Sequence, residues 1–137
     1  MVASDVTTLR GAPSMATLPP WMRTALWATG VMNVVGAIGF LPPMHAVRAL
    51  AGFPEGAHPL YLMTVSMFVL LFGVGYLALA ATNRADRFFV ALAAVGKLAF
   101  VAVVAALWLG ASLPLRAVAA ASGDLVFAIL FFVWLFG

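Results

Sequence analysis

The sequence predicts an all-α integral membrane protein: a four-helix bundle, antiparallel and up-down-up-down, with both termini on the cytoplasmic side. Three observations carry this. The 137 residues are 66% hydrophobic and only 8% charged, with a mean hydropathy of +1.15, where soluble domains are about half apolar and a quarter charged. The apolar residues fall into four runs, each near the roughly 20 residues that a helix needs to cross a bilayer core of about 30 Å. Helix-breaking residues separate those runs, and the few basic residues sit mainly at their ends.

The first span covers about 21–41, between Pro19-Pro20 and Pro42-Pro43, because proline neither donates to nor fits a continuing helix. The second covers about 59–81 and opens on Pro59, a residue suited to the first turn. The third covers about 86–109, with Asp86 as N-cap and Gly110 as the residue after the last turn. The fourth covers about 114–136, opened by Ser112-Leu-Pro114. Runs of this length exceed any strand, and they lack the alternation of a membrane barrel. The domain layout is thus a short flexible tail, 1–20, followed by a transmembrane domain, 21–137, with Met15 as an alternative start.

The turns around 82–85 and 111–113 are short, which predicts that the second and third spans, and the third and fourth, are antiparallel neighbours. The first connection, Pro42 to His58, is longer; Pro43–Leu50 has room for one or two turns of helix along the membrane surface. Orientation follows the basic residues. Arg10, Arg23, Arg84 and Arg87 fall on one side, against Arg48 and Arg116 on the other. That bias places both ends in the cytoplasm. Trp21 and Trp134 then lie near the inner interface and Trp108 near the outer one.

Composition also excludes functions. Without cysteine there is no disulfide, thiolate nucleophile or zinc–thiolate site. The basic residues form no patch beyond the topology signals, so no nucleic-acid partner is expected. His45 and His58 flank Glu55 in the outer loop and are the weak candidates for a metal. Their spacing of 13, with proline and glycine between, matches no zinc motif, and no metal site is expected. No Ser–His–Asp arrangement and no carboxylate pair within one span suggests catalysis.

The distinctive chemistry is buried. Asn33, Lys97 and Asp124 fall deep inside the first, third and fourth spans. A charge at the bilayer centre costs roughly 2.5–3.5 kcal/mol on insertion scales, so such residues face the bundle interior and find partners. Across the hairpin of the last two spans, Lys97 and Asp124 differ in height by about three residues, roughly 4.5 Å at the helical rise, within reach of a lysine stem. Small residues surround them: Gly30 and Gly36 near Asn33, Gly73 on the second span, and the pairs Ala119-xxx-Gly123 and Ala102-xxx-Ala106. These predict close helix packing. The bulky Phe68, Phe72, Phe131 and Phe132 are left for lipid or for filling gaps.

Phe72-Gly-Val-Gly-Tyr-Leu77, the basic turn Asn83-Arg-Ala-Asp-Arg87, and the dipeptides Gly96-Lys97 and Gly123-Asp124 give the chain, over about 21–136, a pattern similar to the DoxX-like group and other small four-helix membrane proteins of bacteria. The resemblance implies a helical bundle in a bacterial inner membrane. It brings no catalytic motif or cofactor. The residues themselves lead to three expectations. The first is an accessory or assembly subunit acting through helix–helix contacts, with the bilayer and a larger membrane complex or a second copy as partners. The second is an ion- or proton-coupled transporter or channel using Lys97 and Asp124. The third is a binder or enzyme for a lipophilic molecule such as a quinone, lipid or pigment.

Overall fold

The structure is a computed structural model in which residues 16–137 are described. The tail reading for residues 1–15, Arg10 and the alternative start at Met15 lie outside the described residues. The elements are α1 (Pro20–Gly39), a 3-10 turn (Pro42–Met44), α2 (His45–Ala51), α3 (Pro59–Thr82), α4 (Arg87–Leu109) and α5 (Leu115–Phe136). The described residues contain no strand. α3, α4 and α5 are each long and apolar enough to cross a membrane. A fourth candidate span is the bent pair Pro20–Gly39 and Pro42–Ala51, whose two parts meet at 90°. Most of the apolar surface of α3, α4 and α5 points outward, including Leu60, Tyr61, Phe88 and Leu109. Continuous apolar surface of that extent is suited to lipid rather than water.

Local chemistry sets the breaks. α1 stops before Leu41, which is held extended (φ −61°, ψ 144°) by the proline after it. Arg48 of α2 then folds back beneath the break. Its guanidinium donates to the carbonyls of Leu41 (2.6 Å), Pro42 (3.2 Å) and Gly39 (3.3 Å), and lies 3.8 Å from Glu55. α2 ends at Gly52, whose φ of 82° suits glycine. The His58 ring caps α3 by accepting from the Leu60 amide at 3.2 Å, and Asp86 caps α4 by accepting from the Phe89 amide at 2.9 Å. Asn83 closes α3 in the left-handed region. At the end of α4 the outcome differs from the sequence reading. Gly110 has an ordinary φ of −79°, and Ala111 takes the left-handed position at φ 57°. Residues 16–19, grouped with the tail by sequence, are tied to the α3–α4 turn. The Ala85 amide donates to the Ala16 carbonyl, the Leu18 amide donates to the Asn83 side chain, and Leu18 is buried.

Close backbone packing pairs α1 with α3 and α4 with α5, and α1 with α5 joins the two pairs. Glycine makes the first pairing possible. The Gly30 and Gly73 backbones meet at the crossing, where an added Cβ would lie 3.3 Å from the opposite carbonyl oxygen. Ser66 donates to the Ala37 carbonyl at 2.6 Å beside it. In the second pairing, Ala93 and Ala94 of α4 and Ala117, Ala121 and Ala128 of α5 are buried. α3 and α4, joined by a short turn, meet through side chains and are not closely packed backbone to backbone. The rings of Phe72, Tyr76 and Phe89 stand between them, with centroids 5.6–6.2 Å apart. Phe89 sits over Gly75, where an added Cβ would fall 2.4 Å from the ring. Aromatic wedges near the turn hold the two helices apart, and the gap between them becomes the most distinctive feature of the molecule.

Candidate functional site

The polar residues singled out by the sequence converge where the helix pairs meet. Lys97, in the middle of α4, extends its ammonium to Asp124 of α5 at 2.5 Å and to the Asn33 carbonyl oxygen of α1 at 3.2 Å. The Asn33 amide nitrogen donates onward to the Val69 carbonyl of α3 at 3.2 Å. One chain of hydrogen bonds thereby touches all four long helices. Lys97 is 6% exposed, and its ammonium also lies 5.4 Å from the Tyr76 ring and 5.9 Å from the Phe127 ring. Aromatic faces attract a cation, by about 2 kcal/mol where water is excluded. The cation is therefore enclosed by a carboxylate, an amide oxygen and two rings. Asp124 is less enclosed, with 22% of its side chain exposed.

That exposure opens into a cleft of about 380 Å³. Asn33, Lys97 and Asp124 form its polar part, and Tyr76, Ala93, Phe40 and Phe53 also line it. Gly96 is exposed on its wall, and a Cβ added there meets nothing within 4 Å. Phe68 and Phe100, 55% and 37% exposed, line it as well. Its lining comes from all four long helices and includes residues of α3 and α4 on both sides of the gap between those two helices. A mainly apolar concavity of a few hundred Å³ with a few convergent polar groups has the character of a small-molecule site.

No family model, curated protein or solved structure matches this chain.

The packing residues picked from the sequence divide. Gly30 and Gly73 lie at the α1–α3 crossing, and Gly36 faces Val69 in ordinary contact. Gly123 is approached by the Met32 sulfur, 3.1 Å from where its Cβ would be. Ala119, in contrast, is exposed, as are Ala102 and Ala106, so of those two small-xxx-small pairs Gly123 is the member approached closely by another helix. The buried alanines of α5 are Ala117, Ala121 and Ala128. His58 uses its Nδ1 as a helix cap, and His45 lines a separate loop pocket with Arg48 and Glu55. No group of three or more potential metal ligands occurs among the described residues.

Two residues of the site were not legible as such. Tyr76 is 1% exposed and packs its ring on Lys97, yet in sequence it is one aromatic among many; its one signal was a phenol inside a buried span. Phe131, expected to face lipid or fill a gap, is fully buried against Tyr76 with ring centroids 5.7 Å apart.

Proposed function

We propose that this chain binds a lipophilic small molecule in the cleft between α3 and α4, holding its polar head near Asn33, Lys97 and Asp124 and its apolar body along Phe68, Phe72 and Phe100. The proposal includes an antiparallel four-span bundle with both termini cytoplasmic, in the bacterial inner membrane implied by the DoxX-like resemblance. The observation that carries it is the opening of an apolar cleft onto a fixed polar cluster. A Lys–Asp pair that served only to lock helix register would need no apolar cleft beside it, whereas a mainly apolar concavity with a few convergent polar groups is what a small-molecule site requires. Here the carboxylate keeps an exposed side in an aromatic-lined gap.

The accessory-subunit reading draws less support, because many of the small residues that favour helix association are used within the chain: Gly30, Gly73, Ala93, Ala94, Ala117 and Ala121 are all buried. The transporter reading has the same ion pair at its centre.

The test is to isolate the protein from its native membrane in mild detergent and identify co-purifying molecules by mass spectrometry, beside Gly96→Leu. Leucine at 96 fills the cleft from an open wall and favours helix by about 1 kcal/mol over glycine. The expected result is a stoichiometric lipophilic molecule on the wild type and none on a folded Gly96→Leu. Equal recovery from both refutes the cleft as the site. A stoichiometric larger membrane protein in place of a small molecule would return the weight to an accessory subunit.

A further inference from the structure

The hydrogen-bonding capacity left open in the cleft selects the head group. Lys97 directs its ammonium to Asp124 Oδ1 and Asn33 Oδ1, and two rings cover it further. Asn33 donates one amide N–H to the Val69 carbonyl and accepts from Lys97 with its oxygen. The carboxylate of Asp124 is engaged through Oδ1 alone among the described residues, and its side chain is partly exposed to the cleft. The cleft therefore presents an acceptor with an unfilled valence, while the cation is already committed. Tyr76 lines the same cleft, and its hydroxyl has no hydrogen-bond partner among the described residues.

Resting on the cleft reading above, we infer that the ligand is a neutral hydroxyl-bearing lipophile, an alcohol or phenol, whose O–H donates to Asp124. Charge disfavours ionised heads, and the unfilled carboxylate oxygen disfavours a head without a donor. An anionic head would meet the carboxylate. An ammonium head would stand beside Lys97, itself 2.5 Å from the same carboxylate. A bare carbonyl could accept from the Tyr76 phenol but would leave the exposed carboxylate oxygen of Asp124 unpaired. A hydroxyl satisfies the site in both directions, donating to Asp124 and accepting from the Tyr76 phenol. Hydrogen bonds with one ionised partner are about twice as strong as neutral ones, so the selection is expected to be measurable.

The experiment compares matched probes on the full chain in lipid nanodiscs, read by native mass spectrometry. Farnesol is paired with farnesyl methyl ether, and 4-dodecylphenol with 4-dodecylanisole; farnesal supplies the carbonyl. The expected result is that at least one hydroxyl compound binds about tenfold or more tightly than its methyl ether and more tightly than farnesal. The pair with the larger ratio then distinguishes an aliphatic from a phenolic ligand. In Lys97→Met with Asp124→Asn, a charge-free site expected to remain folded, the ratio falls towards one. Equal binding of ethers and hydroxyl compounds, lost alike in Gly96→Leu, overturns the donor inference and leaves the cleft in place. Tighter binding of farnesal overturns it as well. Binding of every probe unaffected by Gly96→Leu, or of none, overturns both readings together.

Discussion

Replacing Asp124 by asparagine preserves the shape of the site and removes its anion, so it isolates the electrostatic role of the Lys97–Asp124 pair. Stranding one member of a buried pair costs about 3–5 kcal/mol. Lys97, at 6% exposure, is nearly enclosed, but it retains the Asn33 oxygen at 3.2 Å and the Tyr76 and Phe127 rings at 5.4 and 5.9 Å. Those contacts return about 1–2 kcal/mol, leaving a net loss of about 2–3 kcal/mol. Lys97→Met strands a carboxylate that is already partly exposed to the cleft, and the expected loss is smaller, about 1–2 kcal/mol. The double variant leaves no charge to strand. Methionine follows the lysine stem, and stability is expected within about 1 kcal/mol of wild type. Unfolding by SDS in mixed micelles, followed by far-ultraviolet circular dichroism for all four proteins, yields the coupling energy. A coupling of about 2 kcal/mol or more is expected. If the double variant loses as much as the two singles added together, the pair does not hold these helices and the reasoning fails.

Other perturbations reach other parts of the fold. Arg48→Met removes the donors that Leu41, Pro42 and Gly39 use at the bend and is expected to cost about 2–3 kcal/mol. Arg48→Lys rescues little of it, because an ammonium cannot reproduce the guanidinium fork. Hydrogen exchange confined to residues 39–51 is the readout, and unchanged protection there would show that the bend is self-supporting. Ala111→Gly relieves a left-handed alanine (φ 57°) and is expected to stabilise by about 1 kcal/mol; a lower melting temperature would contradict that. Gly73→Leu drives a side chain into Asn33 and the Gly30 carbonyl, 3.0 and 3.3 Å from the added Cβ. A loss of about 3 kcal/mol or more is expected, with Gly36→Leu, where the nearest atom is 3.8 Å away, losing clearly less.

The helices were legible because each boundary has a local chemical cause. Pro20, Pro42, Pro59, Asp86 and Pro114 stand at or next to an observed helix end. The polar cluster was legible because burial cost makes Asn33, Lys97 and Asp124 conspicuous in apolar runs, and because a hairpin fixes the relative height of two helices. What sequence did not show was rotation. α3, α4 and α5 are apolar all round, so periodicity cannot say which stripe is buried. The small-residue spacing of α5 therefore fits Ala119 and Ala117 equally well, and only the tertiary packing buries Ala117 and exposes Ala119. The cleft was hidden for a related reason. A short turn predicts proximity, but the separation of α3 from α4 is set by three aromatic rings whose contact depends on tertiary packing.

The arginines had two uses, of which sequence revealed one. Counted as topology signals, they need only lie on the correct side of the membrane. In the structure, Arg23 donates to the Ala80 carbonyl near the end of α3 at 2.8 Å, Arg87 donates to the Leu135 carbonyl at the end of α5, and Arg48 closes the end of α1. Each reaches the C-terminal turn of a different helix, where carbonyls lack intrahelical donors and the helix dipole favours a cation. In water such carbonyls are solvated at little cost. Within the hydrocarbon of a bilayer an unmet carbonyl costs several kcal/mol, and arginine can meet one near a helix end while its charge stays near the interface. Sequestering the helix ends in this way leaves the Lys97–Asp124 cluster and its cleft as the place where charge lies deep among the helices and still faces an open cavity.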